Sequence, residues 1–292
     1  MISVPLIAAL IGVAPNGSLR VEDEDARRSA TQVPATSAPE PAASSSAGDR
    51  TKAKRSIYRV SPIADGAVIA AGVLGIVLPY SLSASLITPR CPCDPNEVNS
   101  FDRRSIGNSS DAADVISLLT TALALGGPPL LDFLDVGSTP AFLEDMTVFA
   151  EALAVNGALV TLAKYVTRRP LPRLYAQQAP DLINSPGGYR SFYSGHTSTT
   201  FAALSVAAMS WGFRHGHSVW PWVITLLVGA SVAVERVVAG YHFPTDVMVG
   251  AVVGMALGIA VPWLHARREA QAGALSFLPR ADGAGIAWTV RW

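Results

Sequence analysis

The sequence predicts an all-α fold: a six-helix transmembrane bundle followed by a short C-terminal β-hairpin. Half of the 292 residues are hydrophobic and only 15% are charged, six apolar runs are long enough to cross a bilayer, and those runs are rich in Ala, Gly, Val and Leu. A bilayer span takes about 20 mostly apolar residues because the hydrocarbon core is roughly 30 Å thick. In lipid the backbone must satisfy its own hydrogen bonds, which favours helices, and small residues let those helices pack closely. The formal net charge is zero, so there is neither a basic excess for nucleic acid nor an acidic solvating tail. Nucleic acid is not an expected partner.

The elements follow in order. Residues 1–17 hold a short apolar stretch, Val4 to Val13, too brief to span and similar to the apolar part of a secretory signal, though without a basic residue before it. The chain from Val21 to Lys54 is charged and then rich in Ala, Ser, Thr and Pro, with too little apolar surface to offset ordering entropy. Residues 1–55 are thus expected as a signal-like start and a disordered tail, residues 56–268 as the membrane-embedded domain, and 269–292 as a C-terminal tail. The candidate spans run over about 63–82, 113–134, 142–166, 195–213, 220–240 and 244–264. Buried core helices of a soluble protein are the alternative, since Asp114, Glu144, Asp145 and Glu151 lie in the second and third runs. In a bilayer those carboxylates must sit near span ends or face the interior. After the last run, apolar residues alternate around Asp282-Gly283, including Ile286, Trp288, Val290 and Trp292, which is the hairpin signal.

Orientation is argued from basic flanks, which collect on the cytoplasmic side. Lys52, Lys54, Arg55 and Arg59 precede the first run, Arg214 follows the fourth, and Arg267 and Arg268 follow the sixth. With six spans all three flanks share one side, leaving the loops after spans three and five on the outer face. A cleaved signal would invert this arrangement. Cys91 and Cys93 are separated only by Pro92; a bond across one residue is expected to be strained, and two sulfurs without further Cys or nearby His make a poor metal site. Spare thiols or a bond to a partner are the expected readings.

Three polar clusters interrupt the apolar pattern. The third run ends in Lys164-Tyr165-Val166-Thr167-Arg168-Arg169-Pro170, a set of cations at a helix C-terminus. The fourth opens on Ser194-Gly195-His196-Thr197, placing a histidine beside the unpaired N–H groups of a helix start, a ready anion site. Between the fifth and sixth, Arg236 is followed by His242 in a tight connection and Asp246 in the next helical turn. A carboxylate there can bond one imidazole nitrogen and leave the other free to attack phosphorus. The bland readings are span-flanking basics, a simple helix cap and interfacial side chains. Taken together, the clusters supply the cations, nucleophile and acid that phosphate-ester hydrolysis without a metal requires.

These clusters, in this order, resemble the type 2 phosphatidic acid phosphatase superfamily, which includes bacterial non-specific acid phosphatases and vanadium haloperoxidases. The family pattern is a lysine, six residues, Arg-Pro; then Pro-Ser-Gly-His; then Ser-Arg, five residues, His, three residues, Asp. The likeness extends from Lys164 to Asp246. It implies His242 as a nucleophile forming a phosphohistidine, Asp246 as its orienting partner and His196 as the acid for the leaving group. Lys164, Arg236, Ser194 and the Gly195 backbone would bind phosphoryl oxygens. Tyr193 and Glu235 replace the family's proline and serine. Six residues beyond Lys164 stand Leu171-Pro172 rather than Arg-Pro, so Arg169 is taken for the missing phosphate ligand and Arg173 is the other candidate.

The expectation is therefore an integral membrane phosphatase, without metal or cofactor, cleaving a phosphomonoester or pyrophosphate of a lipid. Its site would lie at the outer membrane-water interface of a bacterial-type inner membrane, facing the periplasm or exterior. The partners are that lipid and the bilayer, and nothing in the residues ranks individual lipids or fixes an oligomeric state. A periplasmic acid phosphatase on soluble esters, a haloperoxidase and a catalytically silent membrane scaffold are the competing readings.

Overall fold

A computed structural model of the chain describes residues 55–267, 276–280 and 283–287, the last two stretches as backbone. The expected signal-like stretch and tail, residues 1–54, lie outside the described residues. The long helices are α1 (Pro62–Ser81), α2 (Asp111–Val136), α3 (Pro140–Thr167), α4 (Gly195–His215), α5 (Trp220–Val238) and α6 (Pro244–His265). Local chemistry explains where they start. Ser61, Ser110, Thr139 and Ser194 each accept from the N–H three residues on, and α1, α3, α5 and α6 carry proline in the first turn, where a missing N–H costs nothing. Gly137 and Gly216 stop α2 and α4 at φ 71° and 94°, values that suit glycine.

Successive helices reverse, so α1, α3 and α5 finish where α2, α4 and α6 begin. At that end Ser110 N–H donates to Val238 O, Ser194 N–H to Asp246 O and Arg173 N–H to Gly240 O. At the other end Tyr58 pairs with Ala266, and Arg214 bridges Asp132 and Asp145. Helix α4 is the inner one, packed by α2, α3, α5 and α6. It runs parallel to α6 at close range: Cβ atoms built on Gly250, Gly254 and Gly258 would meet Ser194 O at 2.8 Å, Ser198 O at 2.1 Å and Ala202 O at 2.5 Å. Helix α1 lies on α3 in the same manner, Gly72 against Ala154 and Gly157 against Ile76.

Five of these helices are long and apolar enough to cross a membrane, and α4, expected as a span, is not among them. Its neighbours explain the difference. An enclosed helix can turn hydroxyls to its partners, and Thr197, Ser198, Thr200 and Ser205 are all fully buried; Ser198 donates to Asn156 and Thr200 meets Thr121. The outer surface is the reverse. Leu118, Leu119 and Leu123 on α2, Leu226 and Leu227 on α5 and Val252 on α6 are exposed. Polar contacts inside and contiguous aliphatic faces outside suit helices bathed in hydrocarbon, and the same faces in water would be an aggregation liability. Asp145 and Glu151 face the interior.

The loop from α1 to α2 carries a short helix, Ser100–Arg103, capped by Asn99. In this loop the structure joins Cys91 to Cys93, correcting the expectation of separate thiols. Their Cα atoms are 4.5 Å apart, within the separation that a disulfide accepts. Beyond α6, β1 (Ser276–Arg280) and β2 (Gly283–Ala287) pair antiparallel, with Ser276 opposite Ala287 and Arg280 opposite Gly283. Trp288, Val290 and Trp292 lie outside the described residues.

Candidate functional site

His242 occupies the turn between α5 and α6 that Gly240 makes possible. Gly240 has φ 73°, and a side chain there would strike Asn108 O at 2.0 Å. The imidazole is buried, 4% exposed. Its Nδ1 lies 2.7 Å from Ser191 O. A carbonyl only accepts, so Nδ1 carries the proton and Nε2 keeps a free lone pair. Burial pushes this imidazole down to about 3; Lys164 and Arg236 push the same way, and Asp246 opposes them.

Asp246 is fully buried in the first turn of α6. It does not bond the imidazole directly: Oδ2 is 3.8 Å from His242 Nδ1. Ser191 joins the two, donating from Oγ to Asp246 Oδ2 at 2.5 Å while its carbonyl accepts from His242 Nδ1–H. Asp246 Oδ2 also accepts from Phe243 N–H at 2.9 Å, and Oδ1 accepts from Arg169 Nη1 at 2.5 Å. The expected direct carboxylate-imidazole bond is thus replaced by a relay through Ser191, a residue without an assigned role in the sequence reading.

Arg169 is placed differently from the expectation of a phosphate ligand. Nη1 binds Asp246 and Thr245, Nη2 binds Asp102 at 2.7 Å, and the guanidinium lies 4.1 Å over the Phe243 ring. Its donors face carboxylates behind the histidine. Asp102, from the Ser100–Arg103 turn, is fully buried and also accepts from the Thr245 N–H and hydroxyl. Burial alone would raise the Asp102 carboxyl, but hydrogen bonds from Thr245, Arg169 and Asn99 outweigh it and hold it below the usual carboxylate range. Arg173, the other candidate, is taken up by Ala239 O and Asp111.

The remaining expected residues gather around His242. Lys164, in the last turn of α3, is 7% exposed and donates to Arg190 O at 2.6 Å. Arg236, in the last turn of α5, binds Asp114 and donates to Ser117 Oγ at 3.0 Å. Both cations bear electrostatically on His196 as well as on His242. Ser194 caps α4, its Oγ accepting from Thr197 N–H at 3.4 Å, and Gly195 and His196 form the first turn. The starts of α4 and α6 both lie here; carboxylates already occupy the α6 start, with Thr245 N–H donating to Asp102 and Phe243 N–H to Asp246, which leaves the α4 start for an anion. The arrangement offers an unprotonated imidazole nitrogen, a second imidazole and converging positive groups.

A family model described as the PAP2 superfamily matches residues 145–270. Those residues belong to the PAP2 superfamily. Over 115 residues, 39% of this chain, the sequence is 30% identical to a lipid A 1-phosphatase of Porphyromonas gingivalis, and it spans only 22% of that relative's length. The chain is also similar to the crystal structure of Aquifex aeolicus LpxE, at 28% identity, covering 55% of this chain and 90% of that one with a TM-score of 0.39. The PAP2 segment contains every residue from Lys164 to Asp246. Three groups that hold it come from the preceding chain: Asp102 behind Arg169, and Asp114 and Ser117 behind Arg236. Sequence spacing could not pair them with the PAP2 motifs, since 67 or more residues separate each from its arginine. Asn99-Ser100-Phe101-Asp102 did carry a signal, a helix cap in a polar loop. Arg190, whose guanidinium lies 4.7 Å over the Tyr80 ring beside Lys164, had none.

Proposed function

We propose that the chain is a multi-pass membrane phosphatase that hydrolyses a phosphomonoester or pyrophosphate of a lipid through a phosphohistidine, without a metal in the reaction. The observation that carries this reading is the tautomer of His242, whose Nε2 lone pair is kept free by the bond from Nδ1–H to Ser191 O. In the proposed reaction Nε2 attacks phosphorus as the bond to the leaving oxygen breaks, and His196, protonated once the phosphate dianion is bound beside it, gives its proton to that oxygen. Neutral His196 then takes a proton from the water that attacks the phosphohistidine, releasing phosphate and free His242. Lys164, Arg236, Ser194 and the Gly195 N–H bind the phosphoryl oxygens, where preorganised donors stabilise the charge that develops. Arg169 acts through Asp246 instead of on phosphate.

A lipid substrate is supported by the relative's description as a lipid A 1-phosphatase and by the aliphatic outer faces of the helices beside the site. We further propose that α4 crosses inside the ring of other helices, and that the site faces the periplasm or exterior of an inner membrane. The Cys91–Cys93 disulfide supports this orientation, because it lies in the loop on the site's side and such bonds persist in oxidising compartments.

The test is phosphate release by detergent-purified protein in EDTA, from a panel of lipid phosphates and from p-nitrophenyl phosphate, with His242→Ala as control. Release from a lipid is expected, and the variant should lose more than the roughly 10²- to 10⁴-fold typical of removing a general acid. Release confined to the soluble ester would replace the lipid reading with that of an acid phosphatase. Undiminished turnover by the variant would remove the phosphohistidine.

A further inference from the structure

A second polar cluster lies at the opposite end of the bundle. Asp65 in the first turn of α1, Glu151 on α3 and His265 at the end of α6 come together there, all with ligand atoms within 4.8 Å of one another. Along α6 the cluster stands about 28 Å from Asp246, nineteen residues at roughly 1.5 Å each. It therefore takes no part in the chemistry proposed for His242, and its assignment does not depend on that proposal.

The geometry of the cluster suits a cation. His265 Nδ1 lies 2.8 Å from Val261 O, so this nitrogen donates to the carbonyl and Nε2 is turned inward. That nitrogen faces Asp65 Oδ1 at 3.5 Å and Glu151 Oε2 at 3.4 Å. Glu151 is 8% exposed, and its Oε2 is buried without a hydrogen-bond partner. A proton on Nε2 would draw a carboxylate in to about 2.7–2.9 Å, the length of a charge-assisted bond, and neither carboxylate is that near. The two spacings from His265 Nε2 instead match the edge of a tetrahedron around a metal ion, about 3.35 Å for bonds of about 2.05 Å to nitrogen and oxygen.

The outer contacts of the cluster are those that orient metal ligands. His265 gives its far N–H to a carbonyl, and the other oxygen of Asp65 is fixed by Ser61 N–H at 2.7 Å. We propose that Asp65, Glu151 and His265 bind a divalent transition-metal ion of the zinc class, with water completing the shell. The ion pins the start of α1 and the end of α6 to α3. One imidazole with two carboxylates selects such an ion over calcium or magnesium, which take all-oxygen shells.

The experiment uses the full chain in detergent, purified through a tag without histidine, stripped with chelator and titrated with Zn²⁺ or Co²⁺ alone. One equivalent of zinc should survive gel filtration, and Co²⁺ should give the visible bands of a four-coordinate ion. Zinc should raise the melting temperature by several degrees. Glu151→Gln and His265→Ala should lose the equivalent and the bands, whereas His196→Ala and His242→Ala should keep both. If either of the first two fails to fold, Asp65→Asn serves in its place, since its amide oxygen can still accept from Ser61. Absence of retained zinc in the unaltered chain would overturn the site and leave an imidazolium between two carboxylates. Retention of the full equivalent by both Glu151→Gln and His265→Ala would overturn it equally.

Discussion

His242 carries two opposing demands, to be buried and to be reactive, and the residues around it reconcile them. A buried imidazole held at about 3 stays neutral across the physiological range, so the free nitrogen needs no separate base. The sign for stability follows from the same shift. An unfolded histidine titrates near 6.5, so protonation favours the unfolded chain as soon as pH falls below that value. The stability that His242 contributes is complete above about 6.5 and declines progressively as pH falls towards 3. In NMR, the His242 ring signals should hold their neutral positions at pH 5, and His242→Gln should flatten the acid side of the melting curve. Ser191→Ala removes the hydroxyl that ties the relay to Asp246. With a charged hydrogen bond contributing about 1.5–3 kcal/mol, turnover should fall roughly 10- to 100-fold, while the backbone carbonyl still fixes the tautomer. An equal fall in substrate affinity, with kcat unchanged, would assign Ser191 to binding. At this scale the sequence revealed residue types and lacked partners. His196, His242 and Asp246 are conspicuous among apolar neighbours, whereas the positions of Arg169, Ser191 and Asp102 depend on contacts made across the fold.

Among the elements, the legible signals were local. Hydroxyl caps, first-turn prolines and stopping glycines are written in consecutive residues, and they explain why the long helices begin and end where they do. What hydropathy could not convey is which helix is enclosed. Helix α4 has the length of a span but serves its neighbours with hydroxyls, so its composition falls short of the five others. Gly254 is the tightest of its contacts, with Ser198 O at 2.1 Å from a built Cβ. Backbone cannot swing aside as a side chain can. Gly254→Ala should therefore destabilise by about 1–3 kcal/mol, as overpacked cores do, and lower the melting temperature. Gly66, with nothing within 4 Å of a built Cβ, is the control and should tolerate alanine.

For the whole molecule, basic flanks alone do not set the direction of insertion. Arg59, Arg214 and Arg267 lie at one end, but Arg103, Arg168, Arg169, Arg173 and Arg190 lie at the other, many of them already committed to carbonyls and carboxylates. The orientation proposed from the disulfide makes its own prediction. In a chain with Cys91→Ser and Cys93→Ser, Ser109→Cys on the site's side should react with a membrane-impermeant maleimide added to intact cells, and His217→Cys should react only after lysis. The opposite pattern would turn the site towards the cytoplasm. The seam of Gly250, Gly254 and Gly258 has a further bearing at this scale. A slip of one residue would bring Ala251, Met255 and Ile259 onto the α4 backbone, so the two helices cannot slide and must tilt as a unit. His196 and His242 therefore ride on a single rigid carriage, and a thicker or thinner bilayer can rock that carriage without opening the gap between them.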